Sequence, residues 1–298
     1  MQPAKRARAS NDEGDFAERK SSSNEAELFL ASNLLRLQSE ALLAEVSLIS
    51  SSQLIEKYFE SIKNLVCDES FVGDEISSNW MKRQCYSGLS LEEYAKEVAI
   101  TFIKPSHIQK IGSYSLLTST KPYIELDILV CLPNECFEER DILNHVYYDK
   151  RKLYLGVIAK KILSDSSVCS TPSNLWFEHF KGDIRKPIIL FRPKSNSKFL
   201  VRIMLSAPEV LNVSKLKVEN NSIRPLEWLK SSGTNAGVIP ASLKPTPSYN
   251  QAILEDFRFI PEHDLIRTAL AACPIMRNTI ILFKVIMFFK CYYDLIKM

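Results

Sequence analysis

From Glu25 onward, apolar residues recur at spacings of three and four: Leu28, Leu34, Leu35, Leu37, Leu42, Leu43, Val46 and Ile49. That period is one face of an α-helix. After the Ser50-Ser51-Ser52 break, Leu54, Ile55, Tyr58, Phe59, Ile62 and Leu65 repeat it. A second helix is therefore expected to return on the first as a helical hairpin; the repeat is too brief to sustain a coiled-coil seam. Residues 67–90, with Gly73, Gly88 and several serines, read as an irregular connection, and Leu91 to Phe102 as helix.

The period then shortens to two. Ile108 to Ile111 and Ile124 to Leu132 read as strands joined by a loop with Gly112, Ser113 and Pro122. Glu138 to Leu163 reads as a long helix, with Leu143, Val146, Tyr147, Leu153, Tyr154, Val157, Ile158 and Ile162 on one broad face. Pro187 to Arg192 and Lys198 to Leu205 are strands either side of a polar turn at 194–197, a hairpin. The stretch 212–248 is irregular and ends in Pro240, Pro245 and Pro247, so a domain boundary is expected near Tyr249, with helix beyond it. The resulting segmentation is a tail at 1–24, a hairpin and connection at 25–90, a mixed α+β domain at 91–211, a linker at 212–248 and an incomplete helical domain at 249–298.

Composition narrows the classes open to such a chain. At 298 residues, 46% hydrophobic and 24% charged, it can bury one large or two modest cores, and disorder throughout is excluded. The 38 basic and 35 acidic residues leave a net charge of +3, so any nucleic-acid contact must come from local patches. Seven cysteines without regular pairing, and no apolar leader, point to a reducing compartment. Cys131 and Cys136 lack the second pair that a zinc knuckle needs, so no metal is expected there. The longest apolar run, Ile280 to Phe289, is broken by Lys284 and is too short to span a bilayer. No membrane is expected among its partners. The first segment has little to bury, and its Lys5, Arg6 and Arg8 form a solvated basic cluster of the kind an import receptor reads.

The candidate chemistry lies in the strand, loop, strand unit. Gly112-Ser113 closes the first strand, and Glu125 and Asp127 share one face of the second, because successive side chains alternate. Two carboxylates beside a Gly-Ser turn can hold Mg²⁺ and a nucleoside triphosphate, and equally can line a solvated sheet face. The layout resembles the nucleotidyltransferase superfamily of poly(A) polymerases and oligoadenylate synthetases. That resemblance implies a third carboxylate on a later strand, after one reading Pro-Ile-Ile. Here Lys186-Pro187-Ile188-Ile189-Leu190 is followed by Phe199-Leu200-Val201-Arg202-Ile203, which puts Arg202 at the third position. A guanidinium about 4 Å from a divalent ion, at an effective dielectric of ~20, is repelled by roughly 8 kcal/mol before screening. The expectation is a pocket that keeps its fold, loses its metal and pairs Arg202 with Asp127 or Glu125.

Longer stretches carry a narrower resemblance: Leu34-Leu35-Arg36-Leu37-Gln38 with Glu40, Leu42 and Leu43; Gly112-Ser113-Tyr114; the helix from Tyr147 to Leu155 with Lys150-Arg151; and Pro245-Thr246-Pro247-Ser248-Tyr249-Asn250. In order, from about Ala26 to Val285, they look like the N-terminal part of the nucleolar RNA-associated protein family, also called nucleolar protein 6. What this implies is an α+β, nucleotidyltransferase-like mixed sheet with helices, preceded by the hairpin and followed by the start of a helical domain. It also implies a nucleolar, non-catalytic scaffold of the small-subunit processome in ribosomal RNA processing. Its expected partners are pre-ribosomal RNA and processome proteins, with no cofactor and no small-molecule substrate. The rival is an active Mg²⁺-dependent RNA nucleotidyltransferase, and a module binding proteins alone is the third class. For RNA contact the sequence offers Lys150, Arg151 and Lys152 on the long helix, and Arg192 and Lys194 on the hairpin. His107, His145, His179 and His263 have no motif around them and are expected in surface or core roles.

Overall fold

The structure, a computed structural model, describes residues 30–48, 53–84, 86, 88–89, 98–143, 145–169, 171–193, 198–217 and 249–296, with side chains as far as 288. Lys5, Arg6, Arg8, Lys194, the 194–197 turn and most of the 212–248 linker lie outside the described residues. The chain divides into two units, one from Leu48 to Arg277 and one joining the residues up to Ser47 to those from Asn278 on.

The larger unit is built on a five-stranded sheet. In chain order it contains α2 (Gln53–Val66), β1 (Glu75–Ser77), α3 (Ser78–Gln84), β2 (Ala99–Thr101), β3 (His107–Ile111), α4 (Gly112–Ser115), β4 (Ile124–Cys131), α5 (Val146–Ser164), β5 (Leu175–His179), β6 (Pro187–Phe191), β7 (Phe199–Ser206) and α6 (Tyr249–Ala272), with α1 at 30–46 before it. The sheet order is β3-β4-β7-β6-β5, antiparallel throughout except for the β4–β7 pair, which is parallel. This is a mixed sheet in an α+β fold. β1 and β2 make a separate two-stranded ribbon.

Alternation along β4 and β7 gives the sheet two apolar faces. Leu126, Ile128 and Val130 with Val201, Ile203 and Leu205 join Ile55, Phe59 and Ile62 of α2 and Leu155, Ile158 and Ile162 of α5 in the main core. Leu129, Cys131, Ile188, Leu190 and Met204 form a smaller core on the other face, with Phe180, Phe259 and Ile260 packed against it. α1 and α2 therefore fall in different units, and α2 belongs to the core under the sheet. Composition suggests breaks at 90, 211 and 248, whereas the division falls at Leu48 and Arg277. Tyr249 shows why: it is fully buried, its hydroxyl donates to the Ile142 carbonyl at 3.1 Å, and its own carbonyl accepts from Tyr148.

Local differences have local causes. β1 and α3 occupy the stretch that reads as irregular, β2 stands where the helix from Leu91 is expected to end, and β5 has no counterpart in the sequence reading. The long helix starts at Val146 rather than Glu138, after a 3₁₀ turn at Glu139–Ile142. In the second unit α7 (Pro274–Ile296) buries Ile281 and Val285, while Phe283, Ile286 and, on α1, Leu34 and Leu35 are exposed. No single helix among the described residues is long and apolar enough to cross a membrane.

α5 corrects one expectation outright. Lys150, Arg151 and Lys152 do not form a basic surface for RNA, because α5 is enclosed on almost every side. Arg151 donates to the Pro187 carbonyl at 2.9 Å and stands 3.4 Å from the buried Asp256 carboxylate. Lys150 pairs with Asp141 at 2.7 Å, and Lys152 lies 3.7 Å from Asp149. Lys161 donates to the Val66 and Asp68 carbonyls, closing the C-terminal end of α2, and burial pulls its ammonium below the usual lysine range. A cation taken out of water is tolerated only with such partners. Lys186, also buried, completes the set, at 2.8 Å from Asp256 and donating to the Ala252 carbonyl at 2.7 Å.

Candidate functional site

Three strand positions bring the site together. β3 sets Ile111 opposite Asp127, and the parallel pairing of β4 and β7 sets Asp127 opposite Arg202. Asp127 is thus flanked by the turn that follows Ile111 on one side and by Arg202 on the other. Gly112 opens that turn with φ +68°, a conformation side chains resist. A Cβ on it would overlap Asp127 Oδ2 and stand 3.0 Å from Cγ. The carboxylate lies directly against the Gly112 backbone, which is why glycine stands here.

The Arg202 guanidinium is divided between the two acids. One terminal nitrogen donates to Asp127 Oδ1 at 2.9 Å, the other to Glu125 Oε2 at 3.1 Å. The environments differ: the Asp127 side chain is 10% exposed, Arg202 27% and Glu125 47%. The Asp127 arm is therefore nearly dry and the Glu125 arm solvated. Behind the turn, Tyr114 donates to Glu56 of α2 at 3.2 Å, and Glu56 also holds Lys110 at 2.6 Å. Burial, with Glu56 beside it, pushes the Tyr114 hydroxyl up to about 12.

Gly112, Glu125, Asp127 and Arg202 are thus one constellation, with Ser113 following in the same turn. Its donor set does not suit a catalytic divalent ion. Both carboxylates already accept from a fixed cation, and the third position would place positive charge beside the metal. Among the described residues no group of three His, Cys, Asp or Glu side chains could hold a metal ion elsewhere.

The remaining sequence candidates scatter. Arg192 is exposed at the end of β6, with its guanidinium 5.4 Å from the centre of the Trp176 ring. His145 is buried beside Tyr148 and Tyr249, and His107 is exposed at the start of β3. Sequence reasoning passes over Tyr123 and Trp176. Trp176 lies on the sheet face that carries Asp127, through the register of β5, β6 and β7, and Tyr123 is the exposed residue directly before β4. Adjacency to the strand of Glu125 and Asp127 is the signal that would have found Tyr123.

A family model described as Nrap protein domain 1 matches residues 86–272, which take in β2 to β7 and all of α6. Nucleolar protein 6 of Xenopus laevis is 31% identical over 269 residues, covering 88% of this chain and 23% of that protein. Nucleolar protein 6 of Homo sapiens is 28% identical over 294 residues, covering 96% of this chain and 25% of that protein. U3 small nucleolar RNA-associated protein 22 of Schizosaccharomyces pombe is 31% identical over 147 residues, or 47% of this chain and 12% of that protein. The chain spans about a quarter of the length of the nucleolar protein 6 relatives it matches. The α+β fold with its mixed sheet is the nucleotidyltransferase-like fold of this family. On the match of the family's first domain and the extent of the likeness to its relatives, the chain belongs to the Nrap family of nucleolar proteins.

Proposed function

We propose that this chain acts without catalysis in small ribosomal subunit assembly, as a scaffold that binds pre-ribosomal RNA and other proteins of the small-subunit processome. The likeness to proteins named nucleolar protein 6 and U3 small nucleolar RNA-associated protein 22 supports the setting. One observation carries the non-catalytic part: a guanidinium fixed on both carboxylates of a nucleotidyltransferase-like sheet. Arg202 supplies the positive charge that a metal would otherwise supply, but holds it immobile and without open coordination positions for a phosphate. On this reading the pocket is a structural remnant that ties β4 to β7. Lys5, Arg6 and Arg8 serve nuclear entry, and a fluorescent reporter fused to residues 1–24 tests that role.

The alternative is a Mg²⁺-dependent RNA nucleotidyltransferase using Glu125 and Asp127. A primer-extension assay with each ribonucleoside triphosphate, and Mg²⁺ or Mn²⁺, separates the two. No extension is expected. Extension that disappears in Asp127→Ala overturns the scaffold reading. RNA binding is measured beside it, and the absence of any salt-dependent RNA affinity would leave a module that binds proteins alone.

A further inference from the structure

One end of the sheet gathers side chains that the pocket does not use. The registers align Asp127 of β4, Arg202 of β7, Leu190 of β6 and Trp176 of β5 across one face. Toward one end come Glu125 on β4, Leu200 on β7 and Arg192 just past β6, and then Tyr123 directly before β4 and Lys198 directly before β7. The backbone holds these segments side by side, since Ile124 N–H donates to the Lys198 carbonyl at 2.9 Å and Arg192 N–H to the Asn174 carbonyl at 3.0 Å. Tyr123 is 60% exposed, and Lys121, Lys198 and Arg192 are exposed with it. The indole of Trp176 is fixed by its Nε1 donating to Glu178 at 3.0 Å, and the Arg192 guanidinium rests over that ring.

We propose that this sheet end is a binding site for unpaired RNA, which rests on and deepens the RNA-binding part of the reading above. Tyr123 and the Arg192 plane, backed by Trp176, are its two stacking surfaces, and Lys121 and Lys198 contact phosphates. Each stacking surface offers a flat face to a base, and aromatic rings and guanidinium planes stack on bases of any sequence. Two strand spacings separate β4, which follows Tyr123, from β6, which precedes Arg192, about 10 Å, enough for two splayed bases rather than one. Of the charged groups at this end, Lys121, Lys198 and Arg192 are exposed cations, Glu125 is matched by Arg202, and Glu178 is tied to the Trp176 indole. An acidic peptide would use the cations but gain nothing from a ring as exposed as Tyr123.

The test uses the full chain and a labelled, unstructured RNA oligonucleotide, read by fluorescence anisotropy across a salt series. Tyr123→Ala, at an exposed position that leaves the core intact, is expected to weaken binding roughly five- to a hundredfold, with Tyr123→Phe retaining it. Arg192→Lys keeps the charge and loses the plane, so affinity falls while the salt slope stays. Lys121→Ser and Lys198→Ser should each lower the slope by about 0.7. Unchanged affinity in Tyr123→Ala and Arg192→Lys overturns this site and leaves RNA binding elsewhere on the chain intact. Failure of the parent chain to bind the oligonucleotide overturns both the site and the RNA part of the proposed function. Tighter binding of polyglutamate than of RNA, insensitive to Tyr123→Ala, assigns the surface to an acidic protein and also overturns it.

Discussion

Replacing Arg202 by alanine leaves Asp127 nearly dry and without the guanidinium that now faces it at 2.9 Å. A hydrogen bond between charged groups is worth about 1.5 to 3 kcal/mol. The Glu125 arm, half in solvent, adds about 0.5 kcal/mol at most. Because Arg202 is itself 27% exposed, water can enter and the loss stays below the 3 to 5 kcal/mol typical of a fully buried pair. Arg202→Ala should thus cost about 2 to 3 kcal/mol, which for a unit of this size lowers Tm by roughly 4 to 12 °C. Arg202→Asp takes the local charge from −1 to −3, counting Glu125, Asp127 and position 202. It should melt lower still in chelator. Yet three carboxylates on adjacent strands form a divalent-ion site that the parent lacks, and Mg²⁺ at ten times its Kd should restore about 1.4 kcal/mol. Differential scanning calorimetry of parent and both variants, with chelator and with Mg²⁺, reads all of this. A Mg²⁺-dependent rise in the parent as large as in Arg202→Asp would refute the reasoning, as would Arg202→Ala melting with the parent.

Other consequences are equally open to measurement. Asp256→Ala removes the acid that faces Lys186, Arg151 and Tyr147 in the interior, and should cost about 3 to 5 kcal/mol by urea unfolding; a loss under about 1 kcal/mol would mean that the two cations find other partners. Gly112→Ala forces a Cβ into Asp127 at positive φ and should cost about 2 kcal/mol or more, whereas relief of chain entropy alone would stabilise slightly. Burial holds the hydroxyls of Tyr147, Tyr148, Tyr154 and Tyr249 above the ordinary tyrosine range. A folded pKa above the unfolded one contributes stability that is present below about pH 10 and lost as pH rises further. Their tyrosinate absorbance should therefore appear in the same step as loss of far-UV ellipticity, and ionisation well before unfolding would contradict their burial.

The meeting of Asp127 and Arg202 is legible because alternation puts Glu125 and Asp127 on one face of β4, and the resemblance to nucleotidyltransferases puts Arg202, on the strand after Pro187-Ile188-Ile189, at the third position beside them. The fate of Arg151 and Lys152 is not. A helix rich in lysine and tyrosine reads as half-solvated, and nothing within α5 announces that Asp256, on a helix far along the chain, will close over it. β5 was missed for a related reason: Trp176 to His179 mixes exposed Glu178 and His179 with half-buried rings, as an edge strand does, so its apolar signal is diluted. β1 and β2, three residues each, are too short to impose any period. Tyr249 reads as the residue after a proline-rich linker, and only its bonds to Ile142 and Tyr148 reveal that it closes the sheet unit.

The order of the strands has a consequence for synthesis. β7 sits at the centre of the sheet but is the last of its strands to be made, and Arg202 follows Asp127 by 75 residues. At ~5 to 20 residues per second, the β3–β4 hairpin waits ~4 to 15 s on the ribosome before its inner neighbour exists. During that interval β4 has an open, apolar inner edge, and Glu125 and Asp127 lack the guanidinium that later joins them. Those two acids, not yet joined by Arg202, put negative charge beside that open edge, the feature by which strands discourage foreign strands from adding to them.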